Sequence, residues 1–316
     1  MSSSSLYLVD GSIKLELRSA HSLLPDTRRA LSLGCPVLDG FLRGGGILGR
    51  GITEICGEAG AGKTQMCLRL LASASLSCPL QESRAVYVCT EGSARTERLR
   101  DIARAHARGI GYGEDEVNSA MGRIFIVDRV DTLLGFFETI DTTVRGILEG
   151  GSVSLVVIDS IASLFRGEFC NRDDLSVRRD WFFSISAMLR QLSADHGVPF
   201  AITNQVSGAF EAGPDTVSVD GRELRPALGI QWSNCVNARL VLLNRDSRAR
   251  SCGGVENTDE SNSRTSADAA RKGVSGLAPR LRSMIVSFSP EWPTGRRCRY
   301  AVTPEGLKGI DIIDGC

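Results

Sequence analysis

The chain has 316 residues, 42% of them apolar and 23% charged, with 37 basic and 37 acidic side chains in balance. That supplies enough apolar mass for one large domain or two small ones and excludes wholesale disorder. No run approaches the roughly 18 consecutive apolar residues of a membrane span, and Met1–Ser5 lacks the basic and apolar regions of a secretory signal, so a soluble intracellular protein with no membrane partner is expected.

In chain order, residues 1–30 are polar apart from the alternating stretch Ile13–Leu17, which reads as a short lone strand. From about 31 to 245, strand-like runs alternate with helical patterns. The strands are expected at Ile52–Cys56, Ala85–Cys89, Ile124–Val127, Val153–Ile158, Val198–Thr203 and Val236–Leu243. The helices are expected near 63–76, 94–107, 131–149 and 176–195. Such alternation predicts an α/β domain with a largely parallel central sheet flanked by helices. Residues 247–279, rich in Ser, Gly, Ala, Asn and Arg, hold too little apolar surface to offset ordering entropy and read as a disordered insertion. Strand character returns at Met284–Phe288 and Cys298–Val302, completing the same sheet.

Composition removes several chemistries. Ten cysteines include no CxxC pair and several fall in apolar runs, so buried reduced thiols are expected rather than structural zinc. The three histidines (21, 106, 196) stand among unremarkable neighbours, which gives zinc catalysis and hydrolytic triads no support. Of the 37 basic residues only Lys14, Lys63, Lys272 and Lys308 are lysine, leaving 33 arginines. Coding bias and phosphate contact both account for that skew, and composition does not choose between them.

The strongest motif is Gly57-Glu58-Ala59-Gly60-Ala61-Gly62-Lys63-Thr64, set between the strand at 52–56 and the helix that opens with Gln65. In that setting the glycines let successive backbone N–H groups converge on a phosphate, and the helix N-terminus adds its dipole. Lys63 would then reach the β- and γ-phosphates and Thr64 would ligate Mg²⁺. Leu155–Ile158 ends on Asp159, a carboxylate placed to hold the same cation. A strand ending in Asp usually just caps a helix; the loop about 95 residues earlier favours the metal role. Glu91 closes another strand and, on its own, reads as a solvated strand end; beside this loop it is a candidate for orienting water. Asn204-Gln205 ends a third strand, where an amide can sense the γ-phosphate.

Together, the loop at 57–64, CTEGSARTERL at 89–99, LVVIDSIASLFRGEF at 155–169 and PFAITNQV at 199–206 resemble the RecA-like recombinases in order and spacing. The phrase LSLGCPVLD at 31–39, with LRGGG and GITEICGEAGAGKTQ, resembles their eukaryotic paralogues most. The resemblance implies a RecA-like P-loop ATPase domain at 31–316, preceded by a short N-terminal linker or strand segment at 1–30. It implies ATP and Mg²⁺ as cofactors, with Glu91 catalytic beside Lys63 and Gln205, the latter responding to the γ-phosphate. It implies Arg98 stacked on adenine, Gln65 within the nucleotide site, and Ser289, Pro290 and Pro293 in a cap laid over a neighbour's ATP.

It further implies a first DNA loop at about 166–177, containing Arg166 and the DNA-contacting Arg172, and a mobile second loop at about 206–224. The partners implied are single-stranded or junction DNA and another recombinase paralogue, of the C type, in a heterodimer in the nucleus. A slow ATPase completed by a partner subunit is expected. An archaeal-type accessory recombinase and a non-DNA scaffold of the same fold are the alternatives.

Two departures from the family stand out. Only about thirty residues precede the core, where full-length recombinases carry a helical domain, and no Phe precedes Phe41, so the Phe-x-x-A polymerisation hook is missing. Ile13–Leu17 either replaces that hook by strand addition or is an ordinary edge strand, with equal weight.

Overall fold

The computed structural model describes residues 5–9, 13–17, 30–43, 45–76, 83–166, 169, 174–208, 213, 216–219, 221–244 and 280–314. Arg172 and the segment 247–279 lie outside the described residues, as do parts of both expected DNA loops. Among the described residues no helix is long and apolar enough to cross a membrane.

The chain opens with β1 (Ser5–Val9) and β2 (Ile13–Leu17), then α1 (Pro36–Phe41), β3 (Gly51–Gly57) and α2 (Lys63–Leu76). There follow β4 (Arg84–Cys89), α3 (Thr96–Gly109), α4 (Glu114–Gly122), β5 (Ile124–Val127), α5 (Leu133–Glu138), α6 (Arg145–Glu149) and β6 (Val153–Asp159). The second half holds α7 (Ile161–Phe165), α8 (Leu175–His196), β7 (Pro199–Gly208), β8 (Val217–Val219), β9 (Arg222–Pro226) and α9 (Gly229–Ser233). It closes with β10 (Ala238–Leu243), β11 (Leu281–Phe288), β12 (Arg296–Thr303) and β13 (Gly306–Asp314).

The main sheet runs β13-β12-β11-β10-β3-β7-β6-β4-β5. Every pairing from β10 to β5 is parallel, and β11 to β13 form an antiparallel meander beside β10. The α/β fold with a largely parallel sheet is therefore as expected. Parallel strands covered on both faces need apolar residues at consecutive positions, and β6 and β10 have them: 155–159 and 238–243 are buried throughout.

One core packs α1 to α4 against one face of the sheet, and a second packs α5 to α9 against the other. Helix α2 is buried at every position from Met66 to Leu76, between the sheet and α3 and α4. Helix α8 ends at Gly197, whose φ of 69° supplies the left-handed residue that stops a helix.

Register sets the site. Cys56 faces Asn204 and Gly57 faces Gln205 across β3 and β7, while Cys89 faces Asp159 across β4 and β6. The C-terminal ends of these strands thus share one rim, where open α/β sheets bind ligands.

Four expectations are corrected. The strand at 13–17 is not alone: it pairs antiparallel with β1 in a two-stranded sheet of its own. The single helix expected at 131–149 is α5 and α6 joined by a π-helical stretch, Thr139–Val144, within which Thr142 Oγ1 donates back to Glu138 O at 2.7 Å. The irregular, mobile segment expected at 206–224 contains regular pairing. There β7 continues past Gln205 to Gly208 and pairs with β9, which pairs in turn with β8. That hairpin is fastened by a small apolar cluster in which Val219 and Leu224 meet Cys56, Val241 and Leu243. Finally β13, unread because Lys308, Asp311 and Asp314 interrupt its apolar pattern, completes the meander and packs on α1.

Candidate nucleotide site

Each carbonyl group of the loop between β3 and α2 meets a donor. Lys63 Nζ donates to Gly57 O at 2.8 Å and to Glu58 O at 3.2 Å. Asn244 Nδ2 donates to Ala59 O at 3.0 Å, Arg282 Nε to Gly60 O at 3.0 Å, and the Tyr300 hydroxyl to Ala61 O at 2.6 Å. Met66 N–H takes Gly62 O at 2.9 Å as α2 begins. Gly60 and Gly62 have φ of 74° and 104°, a region that a Cβ makes costly. Space is short as well: a Cβ on Gly57 would lie 2.4 Å from Leu242 O, and one on Gly62 would lie 3.1 Å from Val302 Cγ2. The Lys63 pKa is lowered by burial, against the opposing pull of the Asp159 and Glu91 carboxylates.

Asp159 is buried at the end of β6 and accepts from three hydroxyls. Thr64 Oγ1 and Tyr87 OH donate to its Oδ2 at 2.7 and 3.3 Å, and Thr203 Oγ1 donates to its Oδ1 at 2.5 Å. The first residue of the following turn is fixed from β4's end: Ser160 N–H donates to Thr90 Oγ1 at 2.7 Å, and Thr90 Oγ1 donates to Ser160 O at 2.5 Å. Asp159, about 95 residues from the loop in sequence, therefore meets Thr64 beside Lys63 as the motif reading expects.

Glu91 and Gln205 also come together. Gln205 Nε2 donates to Glu91 Oε1 at 3.1 Å, Ser160 Oγ donates to the same oxygen at 3.0 Å, and Arg166 Nη2 stands 3.5 Å from it. Behind Gln205 lies a buried polar chain. Gln205 N–H donates to Asn204 Oδ1 at 2.7 Å, and Asn204 Nδ2 donates to Glu54 Oε1 at 2.7 Å. Arg239 Nε donates to the other Glu54 oxygen, in an ion pair whose side chains are 2% and 0% exposed. The Arg239 guanidinium stacks over Phe288.

Arg98, in the first turn of α3, is held in its plane from three sides. Its Nε and Nη2 donate to Gln65 Oε1 at 2.9 and 2.8 Å, its Nη2 to Thr303 O at 2.7 Å, and its Nη1 to Pro304 O. Ser289 Oγ accepts from the backbone N–H groups of Glu291 and Trp292, both at 3.1 Å, which closes the turn carrying Pro290 and Pro293. Arg166, expected at the start of a DNA loop, ends α7 with its Nη2 3.5 Å from Glu91 Oε1.

Sequence reasoning missed Asn244, Arg282, Tyr300 and Arg222. The last donates to Glu58 Oε1 at 2.8 Å from the β8–β9 hairpin, while Asn244 N–H takes Glu58 Oε2 at 2.8 Å. None sits in a motif, and each reaches the loop from more than 160 residues away in sequence.

The Rad51 family model matches residues 28–276. The chain is similar to the DNA repair protein XRCC3 homolog of Arabidopsis thaliana, 31% identical over 302 residues that cover 90% of this chain and 94% of that protein. It is similar to the DNA repair protein XRCC3 of Bos taurus, 34% identical over 310 residues, or 94% of this chain and 79% of that one. The DNA repair and recombination protein RadA of Aeropyrum pernix is 32% identical over 229 residues, 69% of this chain and 67% of that protein.

Proposed function

The chain belongs to the Rad51 family and has its RecA-like ATPase core, and from that premise we propose that it is an Mg²⁺/ATP-dependent, DNA-binding recombination mediator. It acts in repair of double-strand breaks in the nucleus, together with another recombinase paralogue as a heterodimer. The observation that supports this best is the meeting of Thr64 Oγ1 and Asp159 Oδ2 at 2.7 Å beside Lys63, next to a loop whose carbonyls at 59–61 are held by side chains of the sheet.

The residues fit the cofactor. Hard oxygen donors on neighbouring elements suit Mg²⁺, which keeps several of its own waters, and the positive φ of Gly60 and Gly62 gives the loop the tight turns that a phosphate cradle uses. Bound Mg·ATP supplies a γ-phosphoryl group whose charge the cation neutralises. The backbone N–H groups at 62–64, where α2 begins, and the Lys63 ammonium hold the phosphates, with Thr64 and Asp159 for the metal. Arg98, its plane fixed by Gln65 and two carbonyls, offers a flat face to adenine. Glu91 orients water, and Gln205, hydrogen-bonded to Glu91, carries the state of the γ-phosphate toward the β8–β9 hairpin. DNA lies along the loops that follow α7 and β7, with Arg166 and Arg172 toward its backbone.

A scaffold using nucleotide only structurally has no need of a Glu91–Gln205 pair on the same rim, which favours turnover. The test is nucleotide affinity of Lys63→Ala: removing the charge should cost about 2–4 kcal/mol of binding to a fluorescent ATP analogue. Unchanged affinity would overturn the reading.

A further inference from the structure

We infer that Asn244, Arg282 and Tyr300 are positioning residues that hold the phosphate loop ready for an anion. This rests on the proposal that the loop binds nucleotide and deepens it by naming what shapes the loop.

A loop that turns its N–H groups toward one point must turn its C=O groups away, and each C=O that is buried then needs a donor. Three consecutive carbonyls, those of Ala59, Gly60 and Ala61, are taken by side chains from the end of β10, from β11 and from β12. Lys63 takes only the two carbonyls before them. The lysine is also the group that must reach a phosphate, so the buried Ala61 carbonyl needs a donor independent of it, and the exposed Ala59 and Gly60 carbonyls are fixed in direction by theirs. All three donors come from the edge of one continuous pairing, β10-β11-β12. The middle of the loop is thereby referenced to the sheet, while its two ends are tied to α2 through Lys63 and Met66.

Tyr300 is the most committed of the three. Its side chain is 0% exposed, burial keeps its phenol protonated, and its ring lies 3.9 Å from where a Cβ on Gly62 would be. It is therefore both a donor to Ala61 O and a neighbour of Gly62, where the φ of 104° and Val302 Cγ2 at 3.1 Å call for glycine. Arg282 and Asn244 sit nearer the surface and act through one hydrogen bond each.

The experiment measures the Kd of a fluorescent ATP analogue with Mg²⁺, beside the melting temperature, for wild type, Tyr300→Phe, Arg282→Met, Arg282→Lys and Asn244→Ala. Leu148→Ala, a core substitution on α6 remote from the loop, serves as the stability control. Losing one donor should weaken binding about three- to tenfold, most for Tyr300→Phe, with partial recovery in Arg282→Lys relative to Arg282→Met. Leu148→Ala should lower the melting temperature and leave Kd unchanged. A wild type that binds while all loop variants bind equally well overturns the inference and leaves the nucleotide site standing. Equal weakening in Leu148→Ala also overturns it, since the effect is then general destabilisation. A wild type that binds no nucleotide overturns the underlying reading and the inference with it.

Discussion

Gln205 Nε2 donates to Glu91 Oε1 at 3.1 Å, joining the ends of two strands that are not neighbours in the sheet, β7 and β4, with β6 between them. The Ser160 hydroxyl at the end of β6 bridges from below at 3.0 Å. A carboxylate held this way has one oxygen committed to protein donors, and among the described residues no donor meets its other oxygen, Oε2, which the proposed orienting of water would use.

Glu91→Gln should therefore leave nucleotide affinity alone and lower turnover. Loss of a general base is on the order of 10²-fold, and an interaction used only in the transition state changes kcat rather than Kd. Single-turnover hydrolysis alongside equilibrium binding, with a co-expressed recombinase paralogue present, measures both. Turnover like wild type would place the base elsewhere.

Glu54 and Arg239 form the most buried ion pair among the described residues, and Asn204 depends on it. Replacing Arg239 with Met leaves a carboxylate uncompensated in the core, which costs about 3–5 kcal/mol. Chemical denaturation of Arg239→Met and of the double variant Arg239→Met/Glu54→Leu separates the pair from its unpaired remnant. The double variant should recover most of the loss, because removing both charges removes the desolvation penalty.

How far the sequence reached can be judged from particular strands. Strand β6 was legible because burial on both faces demands the unbroken run at 155–158, and the loop at 57–64 was legible because close backbone approach demands glycine. The β8–β9 hairpin was not, since Val217, Val219 and Leu224 are too few and too spread to show a period, and they order only by packing on Val241 and Leu243. The donors to the loop carbonyls were hidden for a different reason. Asn244, Arg282 and Tyr300 lie 185, 222 and 239 residues from the groups they hold, and only the sheet order brings them close. Glu91 and Gln205 were legible singly as strand ends, while their contact waited on the register.

His106 is buried against Arg69 and Gly34, and burial first, then the Arg69 charge, lowers its pKa from 6.5 to about 4. Arg69 is itself held by Leu33 O and Gly34 O at 2.7 and 2.5 Å, so it does not move away. A folded pKa below the unfolded one means that the unfolded chain binds the proton first as pH falls. Stability from this group is thus complete above about pH 6.5 and declines toward pH 4, by at most about 3 kcal/mol. Urea midpoints measured between pH 7.5 and 4.5 should fall for wild type and fall less for His106→Gln. Identical pH slopes in the two would remove His106 from the account.

Arg222 and Glu58 are 43% and 22% exposed at their side chains, so their ion pair contributes little to stability, about 0–1 kcal/mol. It links the hairpin beyond Gln205 to the loop at 57–64, and under the proposed function it should carry coupling between them. Arg222→Ala should leave the melting temperature within about a degree or two and reduce the effect of DNA on nucleotide affinity. Unchanged coupling in a titration of ATP analogue with and without single-stranded DNA would show that the contact is incidental.

The most direct test of the central claim is single-stranded DNA binding followed by fluorescence anisotropy across a salt series, with and without Mg·ATP, for wild type and Lys63→Ala. Wild type should bind more tightly with Mg·ATP, with affinity that falls as salt rises because phosphate contacts release counterions. Lys63→Ala should lose the nucleotide dependence. Wild-type protein that binds Mg·ATP yet binds DNA no better with it than without, at every salt concentration, would contradict the account.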